Sequence, residues 1–369
     1  MRRLKTHACG LRRQFSASTR RDVQKSAPVV FSGIQPTGVA HIGNYLGALR
    51  AWGKLCNSPP QKFEHTIFSI VDLHALTVPP SADKLREYKK IAVATIIASG
   101  VDPAKCILFA QSDVPAHAEL CWILSCFSDF GYLNRMTQWK SKSKVSNNAS
   151  ALDEDATKDL KLGLFSYPVL QAADILLYMA THVPVGEDQT QHLELTRHIA
   201  NKFNHTYKQN VFVSPMTLLT PTPRVMSLKM PTKKMSKSDP SGQSRIMISD
   251  TADEIRSKIN KSVTDNFRTV TYEPESRPGV ANLISIAAGL QDTTPEKFAE
   301  SCTHFDGLRD FKLLVGDVIA DKLEPVRTEY ERLMAEDAYL KEVLKDGARK
   351  ANAIATQTLE DVKKAVGIL

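Results

Sequence analysis

Pro28-Val-Val-Phe-Ser-Gly-Ile-Gln-Pro-Thr-Gly-Val-Ala-His-Ile-Gly-Asn44 is the stretch whose reading decides the fold. Its β-branched start predicts a buried strand, Gly33 and the turn residues Gln35 to Gly38 end it, and a helical pattern sets in at Ile42. The order recurs downstream. Thr66 to Val71 reads as a second buried strand, Ser81 can cap a helix running to about Ser99, and Cys106 to Ala110 is a third strand ahead of a helix from about Pro115. This alternation predicts an α/β fold, a Rossmann-like doubly wound parallel sheet. Ligands of such sheets bind beyond the carboxyl ends of the strands, which puts Gly33 to Asn44 where a nucleotide is expected.

Further along, residues 141 to 158 read as a mobile polar loop with a short helix, Ser166 to Tyr178 as a helix, and Val183 to Gln189 as a strand stopped by Gly186. A Pro- and Lys-rich loop spans Pro221 to Pro240. From about Ser249 helical periodicity dominates, and between Leu323 and Gly367 the only helix breaker expected to act is Gly347. The reading is an α/β domain over 26–245 and an α-helical domain over 246–369, with the last helix packing back on the first domain.

The chain has 369 residues, 42% hydrophobic and 24% charged, which excludes disordered and collagenous classes. Its net charge of +8 is unevenly placed. Residues 1–25 hold Arg2, Arg3, Lys5, Arg12, Arg13, Arg20, Arg21 and Lys25 against Asp22, a net of +7 that leaves the rest near +1. With its interspersed hydroxyls and no apolar core, this leader has the profile of a mitochondrial transit peptide, a basic RNA-binding arm being the alternative. The six cysteines form no C-x-x-C pair, so neither a disulfide frame nor a protein-ligated metal site is expected. The longest apolar run, Ile91 to Gly100, is far short of the ~18 residues that span a bilayer.

Two segments carry chemistry. His41-Ile-Gly-Asn44 puts an imidazole and a carboxamide at a helix start, where free N–H groups favour an anion, and Gly43 allows close approach of a phosphate. Lys233-Lys-Met-Ser-Lys-Ser238 carries ammonium groups at Lys234 and Lys237 in a loop able to fold over a polyphosphate. The pair resembles the two signatures of class I aminoacyl-tRNA synthetases. Phe31 to Gly38, His41 to Ala48, Ile70-Val-Asp-Leu-His-Ala75, Val114-Pro-Ala-His117, Ala172-Ala-Asp-Ile-Leu-Leu-Tyr178, Val183-Pro-Val-Gly-Glu-Asp-Gln189 and Pro231 to Asp239 are similar to tryptophanyl-tRNA synthetases of the bacterial and organellar type.

That resemblance implies a homodimer that activates tryptophan with ATP and Mg²⁺, then charges tRNA(Trp) in the mitochondrial matrix, with no membrane attachment. It implies that the helical region binds the anticodon. It further implies ATP contacts from Gln35, His41, Gly43, Asn44, Gly186, Asp188, Lys234, Met235, Ser236, Lys237 and Ser238, with Lys142 as a further phosphate ligand. His41, Asn44, Lys142, Lys234 and Lys237 are the catalytic set. The tryptophan pocket is expected from Phe31, Gly33, Tyr167, Gln171, Asp174, Val183, Val185 and Gln189, with Asp174 accepting from the indole N–H and Tyr167 and Gln189 holding the ammonium. Gln171 departs from the methionine usual in bacterial members and leaves a tyrosyl-tRNA synthetase open as the alternative. An RNA-binding or splicing cofactor with decayed synthetase activity is the other, and the intact signature residues argue against it.

Overall fold

The structure, a computed structural model, describes residues 28–57, 63–143, 146, 149–153, 157–158, 160–186, 189–219 and 224–369. The basic leader and Asp188 lie outside the described residues. Five parallel strands, β1 Val29–Ile34, β2 His65–Ile70, β3 Ile107–Ala110, β4 His182–Val185 and β5 Met216–Leu219, form one sheet in the order β3-β2-β1-β4-β5. The chain reverses direction of travel between β1 and β4, so the crevice past their carboxyl ends is the topological switch point. The first four strands lie where the sequence predicts them. β5 escapes that reading because Met216–Leu219 is a four-residue edge strand directly after Pro215.

Strand side chains alternate between two apolar layers, as a pleat requires. Val29, Phe31, Ile67, Ile107 and Phe109 enter one layer with the helices Ala116–Ser125, Leu162–Leu176 and Thr190–Tyr207. Phe68, Ile70 and Leu108 enter the other with the helical run Ile42–Cys56 and the helix Ala82–Ala98. Ser81 holds the N-cap position of that last helix without a side-chain capping bond.

The second layer continues without a break into the carboxyl-terminal helices Ala252–Asn260, Pro278–Leu290, Pro295–Ser301 and Leu308–Ala335, through Ile255, Leu283, Phe311, Val315 and Leu323. The long final run divides at Glu336, between Leu308–Ala335 and Asp337–Val366, and not at Gly347. The physical reason lies in where Gly347 sits. A Cβ there would overlap the carbonyl oxygen of Leu108, so the missing side chain lets the helix lie directly against the backbone of β3. Leu340 and Leu344 precede this crossing and face one layer, whereas Ala351, Ala355 and Leu359 follow it and face the other. The last helix therefore straddles the β3 edge of the sheet. Among the described residues, no helix is long and apolar enough to cross a membrane.

Candidate active site

The turn after β1 delivers His41 to the N-cap of the helical run, and the two signature side chains satisfy each other's backbone. Asn44 N–H donates to His41 Nδ1 at 3.3 Å, and His41 N–H donates to Asn44 Oδ1 at 3.2 Å, a reciprocal capping box. Because Nδ1 accepts, the ring proton of the neutral imidazole resides on Nε2. Burial, followed by the cations of Lys237, Lys234 and Arg245, pushes the His41 pKa down to about 4. The ring is thus a neutral N–H donor at physiological pH. A Cβ on Gly43 would stand 2.9 Å from His41 Cε1, so this glycine also leaves room for the imidazole itself.

The second signature folds down onto the first. Lys237 Nζ donates to the Gly38 carbonyl at 2.9 Å and to Thr37 Oγ1 at 3.1 Å, bridging about 200 residues of chain to reach the turn beyond β1. Burial there lowers its pKa to about 8. Met235 is 3% exposed and anchors the loop in the apolar layer that holds Ile42, with its N–H on the Val225 carbonyl at 3.1 Å. Lys234 pairs with Met226 through the backbone, while its side chain is exposed. Ser236 and Ser238 share a hydroxyl contact of 2.9 Å, and Arg245 holds the loop's end through the carbonyls of Asp239 and Ser241. Past the loop, Ile246 to Ile248 runs antiparallel to Ala40–Ile42, with Ile42 N–H on Ile246 O at 2.8 Å and Ile248 N–H on Ala40 O at 3.0 Å. The first signature is thus backbone-paired to the segment just past the second, and the Lys237 side chain ties the second to the turn before the first.

Beside them, at the switch point, lies a cleft of about 520 Å³. Its walls include Phe31, Gly33, Tyr167, Gln171, Asp174, Val183, Val185 and Gln189, together with Gln35, Asn44, Lys142 and Gly186. Phe31 stacks on Tyr178 at 5.5 Å and gives the cleft a flat aromatic wall. Asp174 is 1% exposed and is held by His74 Nε2 (2.8 Å), Gln111 Nε2 (2.6 Å) and His117 Nδ1 (2.6 Å). Burial opposes its ionisation, but the bonds from His117 and His74 outweigh it and hold the carboxyl below the usual carboxylate range. At the other end, the Tyr167 hydroxyl donates to Gln138 Oε1 at 2.5 Å and meets His192 Nε2 at 3.0 Å, and His192 Nδ1 contacts Gln189 Oε1 at 2.8 Å. The arrangement offers a flat apolar slot with an anion buried at one side and oxygen acceptors at the other.

A sequence profile described as tRNA synthetases class I (W and Y) matches residues 24–324. The mitochondrial tryptophan–tRNA ligase of Saccharomyces cerevisiae is 50% identical over 348 residues, 93% of this chain and 91% of that protein. The chain belongs to the tryptophanyl-tRNA synthetases of class I. Among solved structures, the tryptophanyl-tRNA synthetase of Mycoplasma pneumoniae superposes with a TM-score of 0.80 at 30% identity, covering 93% of this chain and 98% of its own. That of Campylobacter jejuni, solved with ADP and tryptophan, superposes at 0.74 with 31% identity, covering 92% and 99%.

Within this synthetase, all eight residues expected at the amino-acid pocket line the cleft. Of the nucleotide set, Gln35, Asn44, Gly186 and Lys142 line it as well, while His41 and Gly43 precede Asn44 in the adjoining turn and the 234–238 loop reaches that turn through Lys237. Lys142 closes the helix Thr137–Lys142 instead of riding in a loop, and its ammonium lies 4.9 Å from the Tyr167 ring centroid. Residue-by-residue reading passed over His74, Gln111, His117, Gln138 and His192 as site residues. The signal for two of them was present in Ile70–Ala75 and Val114–His117, segments quoted for their family likeness without a role.

Proposed function

We propose that this chain is a mitochondrial tryptophan–tRNA ligase that forms tryptophanyl-adenylate in the 520 Å³ cleft and passes the tryptophanyl group to the terminal adenosine of tRNA(Trp). The convergence of Lys237 on the turn that starts the His41–Asn44 box is the observation that carries the reading, because it gathers a cation and a neutral N–H donor beside an amino-acid-sized slot. The tryptophan carboxylate attacks the α-phosphorus in line, so no covalent enzyme intermediate is needed. The chain supplies position and charge stabilisation. His41 Nε2–H and the Asn44 carboxamide act on the phosphates, Lys234, Lys237 and Lys142 neutralise charge developing on the departing pyrophosphate, and Mg²⁺ arrives with ATP as its counter-ion. Gln35, Gly43, Gly186, Asp188, Met235, Ser236 and Ser238 complete the nucleotide site in this reading.

Tryptophan fits the slot chemically. Phe31, Val183 and Val185 offer apolar walls to an indole, Asp174 an acceptor for its single N–H, and Tyr167 with Gln189 oxygens for the ammonium. The ADP- and tryptophan-bound Campylobacter relative supports the same occupants here. The reading places anticodon recognition on the helices of 246–369, with 26–245 as the catalytic domain. It takes the enzyme as a homodimer, and the exposed Trp122 and Phe130 are apolar side chains that a partner would cover. The likeness to the yeast mitochondrial ligase and the basic leader support a mitochondrial address, which we extend to the matrix.

ATP–pyrophosphate exchange tests the reading directly. Tryptophan is expected to drive exchange and tyrosine to fail; the reverse would make Gln171 the mark of a phenol pocket, and no response to either would leave only RNA binding. The pH profile adds a second check. Lys237 is protonated only below about 8 in the free enzyme, so kcat/KM for ATP should fall above about pH 8. Bound phosphates raise that value, so the alkaline limb of kcat should lie higher. A kcat/KM that stays flat to pH 10 would remove Lys237 from phosphate binding.

A further inference from the structure

Behind the cleft wall, Gln111, His117 and Tyr178 form a hydrogen-bonded chain on Asp174 whose donors to the carboxylate can be assigned. Leu73 N–H donates to Gln111 Oε1 at 3.1 Å, which fixes the Gln111 amide so that its NH₂ faces Asp174 Oδ1 at 2.6 Å. His117 presents Nδ1 to the same oxygen at 2.6 Å and Nε2 to the Tyr178 hydroxyl at 2.8 Å. A carboxylate only accepts, so Nδ1 carries a proton, and Nε2 is anchored on the tyrosine hydroxyl. Gln111 and His117 are both 0% exposed, and neither lines the cleft. Two donors thus saturate Oδ1, and His74 supplies one more to Oδ2 at 2.8 Å. Of the roughly four lone-pair sites of the carboxylate, about one remains, on Oδ2.

We infer that His117 and Gln111 are specificity-determining positioning residues, which fill one oxygen of Asp174 and so leave the pocket a single anionic acceptor suited to a ring bearing one N–H. The inference rests on the reading of Asp174 as the indole acceptor. Losing either donor lets the carboxyl turn out of its held orientation or take up a proton, and either outcome removes the correctly placed anionic acceptor that the indole meets. The indole bond is made in the ground state and the transition state alike, so the loss falls on KM and leaves kcat alone.

The test compares tryptophan with 3-benzothienylalanine, in which sulfur replaces the indole N–H. Steady-state ATP–pyrophosphate exchange is measured on the full chain, on Asp174→Asn, on His117→Leu, on the near-isosteric Gln111→Met and on His117→Asn, whose amide can still donate at the Nδ1 position. His117→Leu and Gln111→Met are expected to raise KM for tryptophan about tenfold, to move that for the thienyl analogue less than about threefold, and to keep kcat. His117→Asn should recover most of the tryptophan loss. Equal losses for both amino acids, or a fall in kcat, in variants whose circular dichroism and melting match the parent would overturn the inference, provided Asp174→Asn still separates the two. If Asp174→Asn itself fails to separate them, the reading of Asp174 falls first and the inference with it. Should His117→Leu not fold, Gln111→Met and His117→Asn alone decide the matter.

Discussion

Lys237→Ala is expected to slow ATP–pyrophosphate exchange by about 10³-fold or more while tryptophan affinity, read by equilibrium binding without ATP, moves less than about twofold. The asymmetry follows from position. Lys237 does not line the 520 Å³ cleft; its ammonium lies on Gly38 and Thr37, beside the capping box that presents His41 and Asn44. On the proposed reading a charge so placed acts on the phosphates and the leaving pyrophosphate, which bear their greatest charge during reaction. Its partial burial sharpens the effect, since attraction between ions grows as water is excluded. Lys237→Arg keeps the charge but exchanges a compact ammonium for a planar fork, and should recover only part of the rate. Lys234→Ala is a useful contrast, because Lys234 holds its strand pairing with Met226 through backbone atoms and its side chain is exposed. An exchange rate unaltered by Lys237→Ala would defeat the assignment of the loop.

Gly347→Val should be strongly damaging to stability although it lies outside the site. Any Cβ at 347 collides with the Leu108 carbonyl, which is backbone within a sheet and cannot rotate away. The helix must lift off β3 or the strand must bend, at a cost of about 3 kcal/mol or more. Thermal unfolding should show a melting point lowered by roughly 4 °C, at about 1.3 °C per kcal/mol for a chain of 369 residues. Gly163→Ala supplies the control. It too is a helical glycine, but a Cβ there meets nothing within 4 Å, so it should be neutral or stabilise by about 0.5–1 kcal/mol. Equal behaviour of the two variants would mean that the helix does not rest on the strand.

These two glycines show where the sequence speaks and where it is silent. The strand-turn-helix order and the two signature segments were legible because they depend on local pattern: β-branched runs, turn residues, and an imidazole at a helix start. The members of the cleft wall were legible through family likeness. Gly347 was read as a breaker because propensity measures the helix in isolation, whereas the close approach to Leu108 joins residues 239 positions apart. His117 and Gln111 were missed for a related reason. Nothing in the local chain distinguishes a buried histidine that packs from one that holds a carboxylate, and only the fold brings Val114–His117 beneath Asp174. β5 was lost because four residues after a proline carry too little periodicity to register.

The helix Asp337–Val366 has a consequence for the order of events in making the protein. Synthesis runs from the amino end, so β3 is finished more than two hundred residues before the element that lies along it. Until Gly347 emerges, the outer edge of β3 stays uncovered, and both apolar layers lack the flanks contributed by Leu340 and Ala351. An interrupted chain would therefore expose a templating strand to its neighbours, and the last thirty residues act as an intramolecular guard against self-association as much as they act as a strut.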